Sequence, residues 1–133
     1  MAAHGIDVFR VEIDDEPGAL QGVLSGVSDA GLNIFHMAAF SCGGGKGMAY
    51  IVPDKPEGLE EFVASKGLTL EKCAGFLLSG VDKVGVGAAV TKPLSDAGVN
   101  LLVGSATVSQ GEYYLLIVVS QEDAGKAAAA LGA

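Results

Sequence analysis

The sequence predicts an α+β protein built from two consecutive β-α-β-β-α-β units, each an antiparallel sheet with its helices on one face. Three observations predict it. One stretch occurs twice, DEPGALQGVLSGVSDAGLN from Asp15 to Asn33 and DKVGVGAAVTKPLSDAGVN from Asp82 to Asn100, in register at an offset of 67 residues. All but one of the shared positions fall at two ends, Asp and Gly at the front, and Ser-Asp-Ala-Gly followed by Asn at the back. Around both copies the hydrophobic period switches between 2 and 3.6 in the same order, with turn residues at the switches. Self-similarity at a fixed offset constrains architecture before any propensity is considered.

Residues Ile6 to Ile13 alternate as a strand, with Phe9, Val11 and Ile13 on the face toward the helices. The turn Asp14-Asp15-Glu16-Pro17-Gly18 ends it and carries the chemistry of a helix start: an acidic cap, an early proline, and acids near the positive end of the helix dipole. Leu20, Val23, Leu24 and Val27 then recur as one apolar helical stripe. Gly31 stops the helix where a left-handed backbone is needed. A second strand from Asn33 to Ser41, the Gly43-Gly44-Gly45-Lys46-Gly47 turn and a third strand from Met48 to Val52 make a hairpin. Glu57 to Lys66 carries Leu59, Phe62 and Val63 at helical spacing, and a fourth strand runs from Leu68 to about Lys72.

The order then restarts. Phe76 to Val81 matches the first strand, and the turn from Asp82 to Gly85 matches the first turn. The helix that follows is a poorer one, because Gly87 lowers propensity and the interior Pro93 removes a hydrogen bond, so a bend or a shortened turn is expected. Asn100 to Ser109, a turn at Gln110-Gly111 and the almost wholly apolar Tyr113 to Val119 form the second hairpin, the last strand being buried on both faces. Asp123 to Leu131 is an alanine-rich helix. The domains are therefore residues 6–73 and 74–133, and the second lacks an obvious last strand. Either the segment from Leu68 to Val81 serves both units, or a second chain pairs at the open edge.

Composition removes several classes of function. Acidic residues number 16 against 8 basic ones, a net charge of −8, and both nucleic acid and anionic membranes are bound by clustered Lys and Arg. Few aromatics and no basic surface also argue against stacking on RNA. No apolar run is long enough to span a bilayer and the first residues do not read as a signal peptide, so a cytoplasmic location is expected. Cys42 and Cys73 are too few for a disulfide framework or a four-ligand zinc site, and two free thiols are expected.

Other motifs carry little. The glycine-rich run after Cys42 lacks the spacing of a phosphate loop and lies between two strands rather than between strand and helix. His4 and His36 have no companion at metal-ligand spacing, so no metal and no cofactor is expected. Paired carboxylates and a nucleophile-base spacing are missing too, which argues against an enzyme.

The words Asp15-Glu16-Pro17-Gly18-Ala19-Leu20 and Ala30-Gly31-Leu32-Asn33-Ile34, within two tandem units, resemble the ACT domain family. The second copy keeps Asp82, Gly85, Ala97, Gly98 and Asn100, but has Val84 for the proline and Gly87 for the leucine. The resemblance implies ferredoxin-like units in a free-standing, non-catalytic regulatory module that senses an amino acid, pairs as a homodimer and acts on a partner protein. It further implies ligand between the strand-1/helix-1 turn of one domain and the strand-2 region of a neighbouring one. The residues concerned are Asp15, Pro17 and Gly18 with Asn33 and Ile34, and Asp82 and Gly85 with Asn100 and Leu101.

Elementary chemistry is compatible with that assignment. An amino acid needs a negative acceptor for its ammonium and donors for its carboxylate. Asp15 or Asp82 supplies the first, and unpaired N–H groups at the helix start supply the second. The same residues also suit plain structural roles, the aspartates as helix caps and the asparagines as partners for backbone after a helix stop. A structural or protein-interaction module with degenerate ligand sites is the alternative function, supported by the altered second turn.

Overall fold

The first strand is longer than its periodicity indicates. In the computed structural model, which describes all residues from Met1 to Ala133, β1 (Ala2–Asp14) is followed by α1 (Ala19–Asp29), β2 (Ile34–Gly43), β3 (Lys46–Pro53), α2 (Pro56–Ser65) and β4 (Leu70–Val81). Then come α3 (Val86–Asp96), β5 (Val103–Ser109), β6 (Glu112–Val119), one turn of 3-10 helix at Gln121–Asp123, and α4 (Ala124–Leu131). Where sequence suggests two strands, around Leu68–Lys72 and Phe76–Val81, there is a single one. Nothing between them breaks it: Cys73 is buried, and Ala74 and Gly75 pair with Val119 and Val118 of β6.

The chain divides into two units, Asp7–Lys72 and Met1–Ile6 with Cys73–Ala133, the divisions falling inside β1 and β4. In the unit Asp7–Lys72 the strand order is β2-β3-β1-β4. The β1–β3 register sets Phe9 opposite Ile51 and Ile13 opposite Gly47, antiparallel, and β2 pairs antiparallel with β3. The start of β4 is held to β1 by the Glu12 N–H donating to the Thr69 carbonyl at 3.2 Å and by the Arg10–Glu71 ion pair at 3.0 Å. Phe9, Val11, Ala49 and Ile51 of the sheet form one cluster with Val23 and Val27 of α1 and with Leu59, Phe62 and Val63 of α2. Period 2 meets period 3.6 in this cluster, so Phe9, Val11, Val23 and Val27 are buried as their spacing indicates, while Ile13, Leu20 and Leu24 are only half-buried.

The second unit has the order β1-β4-β6-β5, and its last strand comes from the far end of the chain. Residues Ala2 to Ile6 fill that place. Gly5 lies against the Phe76 ring, 3.8 Å from where its Cβ would be, and Ala3 packs on the cluster of Phe76, Leu78, Val90, Leu94, Ile117 and Leu131. Sequence hides this strand because Ala2-Ala3-His4-Gly5 has low strand propensity and no alternation. In β6, Leu115 to Val119 are all buried, but the expected burial on both faces does not extend to Tyr114, which is exposed and donates its hydroxyl to Glu112 at 3.0 Å.

Both first helices differ from the expected acidic-cap start. The residue before α1 is Gly18 at φ 86°, the one before α3 is Gly85 at φ 86°, neither helix has a side-chain cap, and neither has an acid in its first turn. A left-handed residue at this point is open to glycine at no cost in Cβ strain. Pro93 is accommodated within α3, which runs unbroken for 11 residues, the same length as α1.

One pair of positions has traded its bulk between the units. Ile13 faces Gly47 in the first unit, while at the corresponding place in the second Gly80 faces Tyr113. A Cβ on Gly80 would lie 2.9 Å from Tyr113 Cε1 and 3.0 Å from its hydroxyl oxygen. Glycine-to-alanine in a strand ordinarily stabilises, but a Cβ this close obliges the buried Tyr113 ring to shift out of its packed position. Gly80→Ala is therefore expected to destabilise by about 1–3 kcal/mol in a urea melt, and Tyr113→Leu in the same chain to relieve most of that loss. A neutral or stabilising Gly80→Ala would show that this contact is not tight.

Candidate functional site

The two turns reproduce each other bond for bond. In the first, the Asp15 N–H donates to the Gly45 carbonyl at 2.9 Å, Ala19 to Glu16 at 3.2 Å and Gly22 to Gly18 at 2.9 Å. In the second, Asp82 donates to Gly111 at 2.9 Å, Val86 to Lys83 at 3.2 Å and Ala89 to Gly85 at 3.0 Å. Every donor and acceptor before the hairpins is displaced by the same 67 residues as the repeat. Losing the proline at Val84 leaves the backbone of the second turn unchanged, because Gly85 keeps the conformation of Gly18. The N–H groups of Leu20 and Gln21, and of Gly87 and Ala88, stand in the first helical turn, where helix geometry provides no partner.

The side chains around the turns differ. Ser41 donates from its hydroxyl to the Asp15 carboxylate, and Lys46 pairs with Asp14 at 2.9 Å. Lys46 is held above its ordinary value by its hydrogen bond to Asp14. Pairing registers place Val108 of β5 where β2 has Ser41, so Asp82 has no hydroxyl beside it. The first turn thus presents a fixed acid and the second a freer one.

Asn33 and Ile34 stand at the other end of the sheet from Asp15, Pro17 and Gly18. Ile34 pairs with Pro53, whereas Asp14 and Gly43 both pair with Lys46, so β2 runs its whole length between the two groups, roughly 30 Å at about 3.3 Å per residue. The Asn33 N–H donates to the Asp54 carboxylate at 3.0 Å and its carbonyl accepts from the Asp54 N–H at 2.9 Å, which fixes its backbone. Asp82 and Gly85 are separated in the same way from Asn100 and Leu101, which border a hollow of about 370 Å³ with Thr91, Lys92 and Ser95 of α3. Each unit by itself therefore holds the two parts of the expected site apart.

Sequence reading missed a third feature. In the second unit a cavity of about 450 Å³ lies beside the second turn, between the ends of β4 and β6 and the helices α3 and α4. Its wall includes Lys83, Val90, Pro93, Tyr113 and Ala130. The signal was present in the repeat: α2 carries Phe62, and α4 has no aromatic residue at all.

Two units of this topology, each with a strand-turn-glycine-helix entry, have the fold of ACT-domain regulatory modules. No protein-family model matches the chain, and no curated protein does. Solved structures do match it. A protein from Bacteroides thetaiotaomicron aligns over 96% of this chain and 88% of its own, with a TM-score of 0.77 at 12% identity. The ligand-free regulatory subunit of aspartate kinase from Thermus thermophilus aligns over 98% of this chain and 93% of its own, with a TM-score of 0.66 at 18% identity. Aspartate kinase from Synechocystis aligns over 98% of this chain but 26% of its own, with a TM-score of 0.69 at 20% identity. At these identities the likeness is one of fold. No helix of the protein is long and apolar enough to cross a membrane.

Proposed function

We propose that this protein is a non-catalytic regulatory module that binds an amino acid, and that two copies of the chain assemble around the ligand. The turn of one domain, Asp15, Pro17 and Gly18 or Asp82 and Gly85, takes the ammonium on its aspartate and the carboxylate on free helix-start N–H groups. The start of the second strand of a domain in the other copy, Asn33 and Ile34 or Asn100 and Leu101, closes the site. The bond-for-bond recurrence of the turn is the observation that carries this reading: one backbone geometry is built twice from different residues. The solved structures of this fold described as regulatory parts of aspartate kinase support the regulatory role. Separation of the two half-sites within each unit is what an assembly with a second copy would overcome.

Regulation of a partner protein would follow if the ligand favours one arrangement of domains over another, since equal affinity for both would shift nothing. The test is a thermal-shift screen against each common amino acid, followed by calorimetry and sedimentation. A ligand at about 100 times its dissociation constant is expected to stabilise by roughly 2.7 kcal/mol. Selective stabilisation by one amino acid, with a dimer in solution, supports the reading. A folded, ligand-free sample that responds to none of them would move the assignment to a protein-interaction module with degenerate turns, for which Val84 in full solvent exposure and the missing hydroxyl beside Asp82 already speak.

A further inference from the structure

We propose that the cavity in the second unit, which adjoins the second turn at Lys83 and Val86, is a binding site for a small amphipathic monocarboxylate, an aliphatic or aromatic acid without an amino group. Comparison of the two repeats shows how the space arises. In the first unit the Phe62 ring occupies the ground beside α1 so closely that a Cβ on Gly26 would come within 2.5 Å of two ring atoms. In the second, Pro93 stands at the position of Gly26, α4 brings Ala130 in place of any ring, and the volume is left open.

The volume, about 450 Å³, lies within the range of small-molecule pockets. Its chemistry selects the ligand. Val90, Pro93 and Ala130 offer an apolar wall for a hydrocarbon body. Lys83 carries the one charged side chain in the wall and belongs to none of the ion pairs, which use Arg10, Lys46, Lys72, Lys92 and Lys126. Tyr113 brings its hydroxyl end to the same wall at Gly80. An ammonium and a phenol are donors suited to a carboxylate, which only accepts. No acidic side chain lines the cavity, so the ammonium of an amino acid would be desolvated there without a partner. A plain acid meets no such penalty, and the exposed Ala89 at the rim gives it a way in.

Octanoate is the probe, with octan-1-ol as its neutral counterpart, in calorimetry and in amide chemical-shift titrations of the full chain. Octanoate is expected to bind saturably, one per chain, with shifts concentrated at Tyr113 and along α4. Lys83→Met is expected to weaken octanoate about tenfold, the scale of one charge-assisted hydrogen bond, and to leave octan-1-ol unchanged. Ala130→Phe, which returns a ring to the space, is expected to lose binding of both probes while the melting temperature holds or rises. Should that variant fail to fold, Ala89→Leu at the rim tests the same volume. Absence of saturable octanoate binding, retention of it in a folded cavity-filled variant, or octan-1-ol binding as tightly as octanoate with no response to Lys83→Met would each overturn the proposal.

Discussion

Phe62→Ala is expected to lower the unfolding free energy by about 3–5 kcal/mol, the range for deleting a buried aromatic ring. The ring is 9% exposed and lies in the cluster that joins α1 and α2 to β1 and β3. Since domains of this size are stable by about 5–15 kcal/mol, such a loss takes a large fraction of the total. A urea titration followed by circular dichroism would read it as a lower midpoint at unchanged slope. Gly26→Ala supplies the opposite perturbation. Its new methyl would come 2.5 Å from two Phe62 ring atoms, so alone it is expected to cost about 1–3 kcal/mol, and in the Phe62→Ala background much less. A Phe62→Ala loss below about 1 kcal/mol would mean that the ring does not fill the space between the helices.

Asp15→Ala is expected to weaken the amino acid found by the thermal-shift screen about 10- to 100-fold. That is the scale of one hydrogen bond to a charged group, about 1.5–3 kcal/mol. Asp15 is exposed, so the fold should be kept and the loss should appear in affinity alone. Asp82→Ala separates the two turns. Ser41 holds Asp15 in place, and the side chain at the corresponding position beside Asp82 is Val108. Ordering a free carboxylate on binding costs side-chain entropy that a fixed one has already lost. The first turn is accordingly expected to be the tighter of the two, and Asp15→Ala the more damaging variant. Unchanged affinity in both variants, with folding intact, would end the turn-site assignment.

Much of the architecture is legible in the sequence, for reasons that particular residues make plain. The repeat located both turns and both helix stops, because a left-handed backbone at Gly18, Gly85, Gly31 and Gly98 leaves glycine as its mark in sequence. Period 3.6 located Val23 and Val27 in the core, and a continuous apolar run marked Leu115 to Val119 as buried throughout. Local geometry writes such features into neighbouring residues, so neighbouring residues suffice to read them.

Tertiary structure alone decided the rest. Ala2 to Ile6 serve the second unit although they lie about seventy residues from β4's matching end, and no local pattern announces a partner at that separation. Ser41 reaches Asp15 only because strand pairing carries the tip of a hairpin to the first turn. The two groups of residues expected to form a site fall at opposite ends of β2 because β1 and β2 point the same way on either side of β3. The cavity exists because Phe62 and Gly26, distant in sequence, fit each other in one unit, while Pro93 and Ala130 leave a gap in the other. Sequence fixes each side chain's volume and each turn's handedness; whether two volumes meet or leave a space depends on which elements pack, and that is settled only when the whole chain has closed on itself.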